Sequence, residues 1–166
     1  MNNIIKSIRN IKINLLCIII VLYIAYTIYR IYTSPTKNDI ARLTDQWIHE
    51  VTVNNNPDRI FNLFCNDGNL VGTVSKEKRD SIDIKKYFNY FAKLPNIEVV
   101  SKDYNISKVT DNVYINTAFV TWKWDGLSEP IVARMTFVYR NNCIFQLHSS
   151  ALPDLNEDLY KISGSQ

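Results

Sequence analysis

Beyond residue 33, the spacing of hydrophobic residues along the chain changes once, near residue 96. Before that point, apolar side chains recur every three or four positions, which is the period of an α-helix. The first predicted helix has Ser34 as its cap and Pro35 in its first turn, and its core-facing stripe is Ile40, Leu43, Trp47 and Val51. A short second helix starts at Asn56 and stops at the turn pair Asp67-Gly68. A brief strand over 69–75 and a third helix over 81–95 complete this half of the domain.

After residue 96 the apolar residues alternate with polar ones, which is the period of a β-strand. The breaks between the predicted strands carry hairpin residues: Asp111-Asn112, Asp125-Gly126 and Asn141-Asn142. The predicted strands span residues 97–101, 104–110, 113–124, 131–139 and 143–149. Helices followed by an antiparallel meander predict an α+β fold, with the helices packed on one face of a curved sheet.

The last predicted hairpin, residues 133–150, has no obvious solvent side. A two-residue turn at Asn141-Asn142 would place six residues on each face. One face would carry Arg134, Thr136, Val138, Phe145, Leu147 and Ser149, and the other Met135, Phe137, Tyr139, Ile144, Gln146 and His148. Both faces are largely apolar, so both should be covered, yet the helices can cover only one. We therefore expect the other face to dock a second subunit, although a slip of one residue would exchange the faces.

An apolar run over residues 13–32 precedes these elements, interrupted only by Asn14, Thr27 and Arg30. A run of this length predicts a single membrane-spanning helix. The chain would then consist of a basic tail (1–12), a transmembrane anchor (13–32), a folded domain (33–155) and a C-terminal tail (156–166). A cleaved signal peptide and a buried helix are the alternatives. Basic residues before the run favour a domain on the non-cytosolic side, although bases after it weaken this preference.

Composition excludes some classes of function without identifying a reaction. The net charge is +3, and the lysines and arginines form no continuous stripe, so nucleic-acid binding is not expected. The sequence contains no histidine and cysteine cluster of the kind that binds zinc, and we expect neither a metal nor a cofactor. Cys65 and Cys143 are interpreted as small buried hydrophobes or, if the domain is translocated, as a disulfide.

Two segments carry a resemblance to a known family. They are "NNPDRIFNLFCNDGNLVGT", residues 55–73, and "ARMTFVYRNNCIFQLHSSALP", residues 133–153. Over residues 40–153 the chain resembles the nuclear-transport-factor-two-like superfamily. Within it, the chain looks like the association domain of calcium/calmodulin-dependent protein kinase II and its small stand-alone relatives. The matching residues are Arg134, His148, Ser150 and Pro153. The resemblance implies a cone-like sheet around the first helix, a pocket at its open end, and dimers or larger rings formed through the outer face.

The resemblance and the predicted register together indicate a pocket and an interface. Arg134 is expected either to bind a small acidic ligand in the pocket or to pair with an internal acid. Ser149 stands where kinase association domains carry a second pocket arginine. Trp47 is core or pocket wall, and Asp67 is either a turn residue or a pocket acid. The predicted interface residues are His148, Phe137 and Tyr139.

The predicted function is a membrane-anchored, non-catalytic oligomerisation or small-ligand-binding domain that forms a homo-oligomer. We predict no catalytic residues. One alternative is a polyketide-cyclase-like isomerase or dehydratase acting on a small apolar substrate, which would require Asp67 and His148 to converge in the cone. The other is a bitopic envelope scaffold subunit, because the resemblance extends to bitopic subunits of type IV secretion machines, which combine one anchor with this fold. With 166 residues, the chain has no room for a kinase domain.

Overall fold

The computed structural model describes residues 2–73, 77–80 and 82–151 of the chain. It contains two compact units, Met1–Ser34 and Pro35–Gln166. The first unit is one helix, α1 (Asn2–Thr33), and the apolar run forms its second half. Among the described residues, no helix combines the length and the hydropathy needed to cross a membrane. Pro153 and the predicted tail over 156–166 lie outside the described residues.

The described residues of the second unit form three helices and one sheet of six strands. The helices are α2 (Lys37–Thr52), α3 (Pro57–Phe61) and α4 (Ile82–Phe91). The strands are β1 (Phe64–Val71), β2 (Lys78–Asp80), β3 (Glu98–Thr110), β4 (Val113–Lys123), β5 (Ile131–Arg140) and β6 (Cys143–Ala151). The predicted α+β class and the mostly antiparallel sheet are therefore confirmed.

Helix α2 begins at a capping box rather than at the predicted cap, Ser34. Thr36 is the N-cap: its side chain accepts a hydrogen bond from the backbone N–H of Asp39. The Asp39 carboxylate in turn accepts one from the backbone N–H of Thr36 at 2.9 Å. Each residue satisfies a donor that the first helical turn leaves unpaired. The hydrogen bond from Thr36 also lowers the pKa of the Asp39 carboxyl.

The second predicted helix is shorter than expected, because strand β1 begins at Phe64 and continues through the Asp67-Gly68 pair. The prediction of a turn at this pair is wrong. A Cβ atom on Gly68 would lie 2.8 Å from the carbonyl oxygens of both Cys65 and Ile144. Glycine is therefore needed here because two backbones approach each other closely.

The strand order in the sheet is β2-β1-β6-β5-β4-β3. All neighbours are antiparallel except β1 and β6, which are parallel. Strand β3 joins two strands that were predicted as separate, with an irregularity in its pairing between Val99 and Ser101. Such bulges bend a strand and increase its twist, which suits a sheet that curves around α2.

The turn of the last hairpin was predicted correctly, but the pairing beyond it was not. Asn141 and Asn142 have φ angles of 50° and 67°, as a primed two-residue turn requires. The register then shifts: Tyr139 pairs with Ile144 and Val138 with Gln146. One extra residue in β6 reverses the faces of its remaining positions. The inner face therefore carries Met135, Phe137, Tyr139, Ile144, Leu147 and Ser149, all of them buried.

The core lies between this inner face and the helices, with Trp47 of α2 at its centre. The Trp47 ring makes edge contacts with Phe88 of α4, Trp122 of β4 and Phe137 of β5, at centroid distances of 5.8, 6.1 and 5.3 Å. Edge-to-face contacts of this kind stabilise a core beyond the area they bury. Trp47 therefore joins all the layers of the domain.

Candidate functional site

A cavity of about 250 Å³ opens between α4 and one end of the sheet. This is where the open end of the predicted cone should lie. Its described lining is largely aromatic and apolar: Thr73, Tyr87, Tyr90, Phe91, Leu94, Trp122, Trp124, Ile131, Ala133 and Ala151. We call this cavity the mouth pocket.

Two residues of α4 form one wall of the mouth pocket. Tyr87 and Phe91 lie one helical turn apart, and their rings stack with an interplanar angle of 18°. Gly72 allows Tyr87 to take this position, because a Cβ atom at Gly72 would come within 2.6 Å of the tyrosine ring. On the sheet side, Phe91 makes edge contacts with Trp122 and Trp124 at 5.5 and 6.4 Å.

A smaller void of about 10 Å³ adjoins the mouth pocket and is lined by core residues such as Trp47 and Leu147. We call it the inner end. Both cavities are lined by Thr73, Tyr87, Phe91 and Trp122. Two hydroxyl groups meet here, since the Thr73 and Ser149 side-chain oxygens lie 2.6 Å apart in a hydrogen bond. The indole N–H of Trp47 has no hydrogen-bond partner among the described residues.

The described lining of both cavities contains no charged side chain. Its ionisable groups are tyrosines, and burial raises the pKa of Tyr87 above its usual value, against the smaller opposing effect of the Arg79 charge. The Arg79 guanidinium lies over the Tyr87 ring, 5.1 Å from its centre. The Tyr87 hydroxyl is therefore neutral at physiological pH and can act as a hydrogen-bond donor or acceptor.

The structure places Arg134 and Asp67 away from these cavities. Arg134 is exposed on the outer face of the sheet, where it pairs with Phe119 and Ser150 on the neighbouring strands. Asp67 is exposed and forms an ion pair with Arg140. The hydrogen bond from Arg140 is the main reason that the pKa of Asp67 is lowered. The prediction that Arg134 and Asp67 line the pocket is wrong. Without Arg134 the described lining has no cation that could bind an acidic ligand.

The predicted interface set is also redistributed. Phe137 and Tyr139 are buried in the core, at 0% and 1% exposure, because they lie on the inner face of β5. They cannot contact a second subunit. His148 lies on the outer face of β6, opposite Thr136, and is exposed. Trp47 and Ser149 do line the inner end. Ser149 and His148 keep their predicted faces, and the bulge in β6 separates Ser149 from Arg134 and His148 from Phe137 and Tyr139.

Tyr139 belongs instead to a buried polar cluster. The Thr44 hydroxyl donates to the carbonyl of Ile40 and lies 2.8 Å from the Tyr139 hydroxyl, so Tyr139 donates to Thr44. The Asn116 side-chain amide also donates to the Thr44 oxygen, at 2.9 Å. Burial raises the pKa of Tyr139. Thr44 thus satisfies two groups that would otherwise be buried without partners.

The outer face of the sheet carries apolar side chains on its central strands. Ile115 and Val138 are paired across β4 and β5, and Thr121 and Val132 form a second pair nearer the end of the strands. Phe119 lies between these pairs on β4, with 46% of its surface exposed. Helices α2, α3 and α4 pack on the inner face, and these outer side chains are partly exposed.

The structure contains a disulfide between Cys65 of β1 and Cys143 of β6. It joins the two parallel strands near the hairpin turn. Of the two interpretations of these cysteines, the disulfide is the one that the structure contains. Cys17 of α1 is a free, exposed cysteine.

Sequence reasoning missed the aromatic wall of the mouth pocket. The sequence analysis did not single out Tyr87, Phe91, Trp122 or Trp124 as pocket residues. The available signal was the combination of an aromatic pair one helical turn apart with two tryptophans spaced by two at a strand end. Only the packing of α4 against β4 brings these four rings together.

Comparisons with known proteins agree with this geometry. No protein-family model and no curated protein sequence matches the chain. A solved protein from Xanthomonas campestris, described as a calcium/calmodulin-dependent protein kinase II association domain, is 28% identical, with a TM-score of 0.62. The match covers 73% of this chain and 91% of that protein. The chain has the nuclear-transport-factor-two-like fold. The resemblance inferred from the sequence is therefore confirmed.

Two enzyme-related neighbours share the nuclear-transport-factor-two-like fold at lower identity. The epoxide hydrolase/cyclase-like enzyme SalBIII, from salinomycin pyran-ring formation, is 12% identical with a TM-score of 0.51, covering 68% of this chain and 90% of its own. A Novosphingobium aromaticivorans protein described as a scytalone dehydratase is 10% identical with a TM-score of 0.53, covering 69% and 83%. At these identities the neighbours support the fold and not an activity.

Proposed function

We propose that this protein is a non-catalytic self-association domain that pairs with a second copy through the outer face of its sheet. The observation that carries the proposal is a set of partly exposed apolar side chains, Ile115, Phe119, Val132 and Val138, which we call the outer patch. The Thr117–Thr136 pair and Arg134 lie among them on the same face. Side chains of this kind, grouped on one exposed sheet face, are typical of protein interfaces. The X. campestris neighbour, described as an association domain, supports the same function.

The self-association proposal is tested by replacing Phe119 with aspartate. Sedimentation or mass photometry of the full chain in lipid nanodiscs should show more than one copy for the native protein and a single copy for Phe119→Asp. The new carboxylate removes the apolar ring and adds a charge that must lose its hydration on docking, even with Arg134 opposite it on β5. Val53→Asp is the matched control, because Val53 is also exposed, at 62%, but lies at the end of α2. A native chain that is monomeric at every concentration would contradict the proposal.

We also propose that α1 tethers the domain to a membrane. Residues 15–29 carry no charge, and most of their large hydrophobic side chains are about half exposed or more. Such a surface is stabilised when it is removed from water. The Cys65–Cys143 disulfide supports a domain on an oxidising, non-cytosolic side. The expected outcome is that the full chain stays in the membrane fraction after alkaline extraction, and recovery in the supernatant would contradict the tether.

A second candidate function is the binding of a small ligand in the mouth pocket, which the cavity itself favours. The enzymatic alternative is less well supported. It required Asp67 and His148 to converge in the cone, whereas Asp67 pairs with Arg140 and His148 lies on the outer face. The described lining offers hydroxyl groups and aromatic rings, which bind and orient a molecule. The scaffold alternative stays a prediction that the identity of neighbouring genes would test.

A further inference from the structure

The shape of the mouth pocket restricts the kind of molecule that fits. At about 250 Å³, it lies just below the usual range for ligand sites, about 300–1,000 Å³. The stacked Tyr87 and Phe91 rings form one wall, and Trp122 stands edge-on to Phe91. Aromatic rings in these orientations offer faces and edges to another flat ring. The walls therefore suit one or two fused rings better than a branched or spherical group.

The electrostatics of the site exclude an anion more strongly than a neutral molecule. No described lining residue of the mouth pocket or the inner end carries a charge. Arg134, which sequence reasoning placed there, lies on the outer face. The Arg79 guanidinium lies over the Tyr87 ring and is not among the described lining residues. A carboxylate entering the pocket would therefore lose its hydration without a cationic partner in the lining, and an unpaired buried charge is strongly unfavourable. Neutral ligands do not meet this barrier.

The inner end contains a hydrogen-bond donor without a partner. Trp47 is 1% exposed, lines the inner end, and its indole N–H has no partner among the described residues. Buried polar groups in folded proteins nearly always have a partner. Thr73 and Ser149, by contrast, already bond to each other. The unpaired group is thus a donor, and it calls for an acceptor atom.

We propose that the mouth pocket binds a small, flat, neutral aromatic molecule whose leading end carries a hydrogen-bond acceptor for Trp47. The ring system lies between α4 and the sheet, and a carbonyl or ether oxygen occupies the inner end, which has room for about one such atom. This inference rests on the ligand-binding candidate function and adds the chemical class of the ligand.

Three probes of nearly equal shape separate the parts of this proposal. They are 2-acetylnaphthalene, which is neutral with an acceptor, 2-ethylnaphthalene, which is neutral without one, and 2-naphthoate, which is anionic. Binding is measured by equilibrium dialysis against the full chain in lipid nanodiscs, with binding to empty nanodiscs subtracted. We expect saturable binding of the ketone, about fivefold tighter than that of the hydrocarbon, which is the worth of one ordinary hydrogen bond. The naphthoate should bind at least about tenfold more weakly than the ketone.

Substitutions assign this binding to the pocket. Ala151→Trp places a bulky ring at the exposed edge of the mouth pocket and should abolish saturable binding. Ser150→Trp is the matched control, since Ser150 is the adjacent residue of β6 on the outer face, and it should bind normally. Trp47→Phe keeps an aromatic ring but removes the N–H. It should bring the affinities for the ketone and the hydrocarbon together.

The outcomes that overturn the proposal differ from one another. Naphthoate binding as tightly as the ketone overturns the ligand class but leaves the ligand-binding function standing. Absence of saturable binding for all three probes overturns both. Undiminished binding to Ala151→Trp would show that the probes bind outside the mouth pocket. A preference for the ketone that is retained in Trp47→Phe would show that the Trp47 N–H does not bind the acceptor. Binding that appears only in a chain ending at Ala151 would show that residues 152–166 are the occupant.

Discussion

Breaking the Cys65–Cys143 disulfide should lower the stability of the domain. The expected loss is much larger than the loss of the local packing contacts of these two half-buried side chains would cause. The disulfide joins β1 to β6, two strands that come from opposite ends of the domain sequence. Cross-linking distant residues restricts the unfolded chain, so the folded state loses less entropy when it forms. Reduction removes that restriction and leaves the folded contacts largely unchanged.

The size of the effect follows from the length of the closed loop. The two cysteines are 78 residues apart, and the chain-entropy relation for a loop of that length gives about 4.5 kcal/mol at 25 °C. Single domains are stable by about 5–15 kcal/mol in total. Reduction should therefore remove a large share of the stability of this domain. The reduced form should unfold at a much lower denaturant concentration.

The assay is urea unfolding of the Pro35–Gln166 unit, followed by tryptophan fluorescence, with and without a phosphine reductant. This unit contains only the two cysteines in question, so no other thiol can exchange with them. Cys65→Ser, Cys143→Ser and the double variant should lose nearly equal stability, because either substitution opens the same loop. A loss below about 1 kcal/mol on reduction, against the about 4.5 predicted by loop length, would refute the reasoning.

Two further predictions concern polar contacts. Thr44→Val should lower the free energy of unfolding by about 3 kcal/mol in urea denaturation, because it leaves the buried donors of Asn116 and Tyr139 without an acceptor. Tyr139→Phe removes only one donor and should lower it by about 1 kcal/mol. A larger loss for Tyr139→Phe than for Thr44→Val would contradict the assigned roles. The Asp67–Arg140 pair lowers the pKa of Asp67 below 3.8, so its stabilising effect is present above the ordinary carboxyl pKa and is lost as the pH falls through the lowered one. Urea midpoints of the native and Asp67→Asn proteins should therefore differ at pH 6 and converge once the pH is below the lowered pKa. A difference that stays constant as the pH falls would argue against the pair.

The helices of this protein were predictable because their signals are local. The stripe of Ile40, Trp47 and Val51 specifies α2 and its buried side within four turns of chain. The start of α2 was mispredicted because a capping box depends on two residues together, here Thr36 and Asp39. Ser34 was chosen as the cap from its residue type alone. The Asn141-Asn142 turn was equally local, and its positive φ angles follow from the residue type.

The parts of the site that were mispredicted depend on long-range contacts. Arg134, Asp67 and Tyr139 were assigned by counting from the hairpin turn or by family resemblance. The count was correct as far as the pair of Tyr139 and Ile144, where the register shift begins. Beyond it, β6 changes its partners on β5: Ser149 lies opposite Met135 on the inner face, and Arg134 lies on the outer face with His148. The mouth pocket could not be predicted from the strand register either, because α4 and β4 come together only through tertiary packing.

The sequence by itself determined the α+β class, the order of the helices, the last three strands with the Asn141-Asn142 turn, and the family resemblance. These depend on hydrophobic period and turn chemistry, which a few neighbouring residues specify. The tertiary structure alone decided which face of β6 is buried, that Gly68 lies where β1 approaches β6, and that Cys65 reaches Cys143. The physical reason is that a strand's pattern repeats every two residues, so one inserted residue reverses its faces, and only the strand's partners determine where that residue lies.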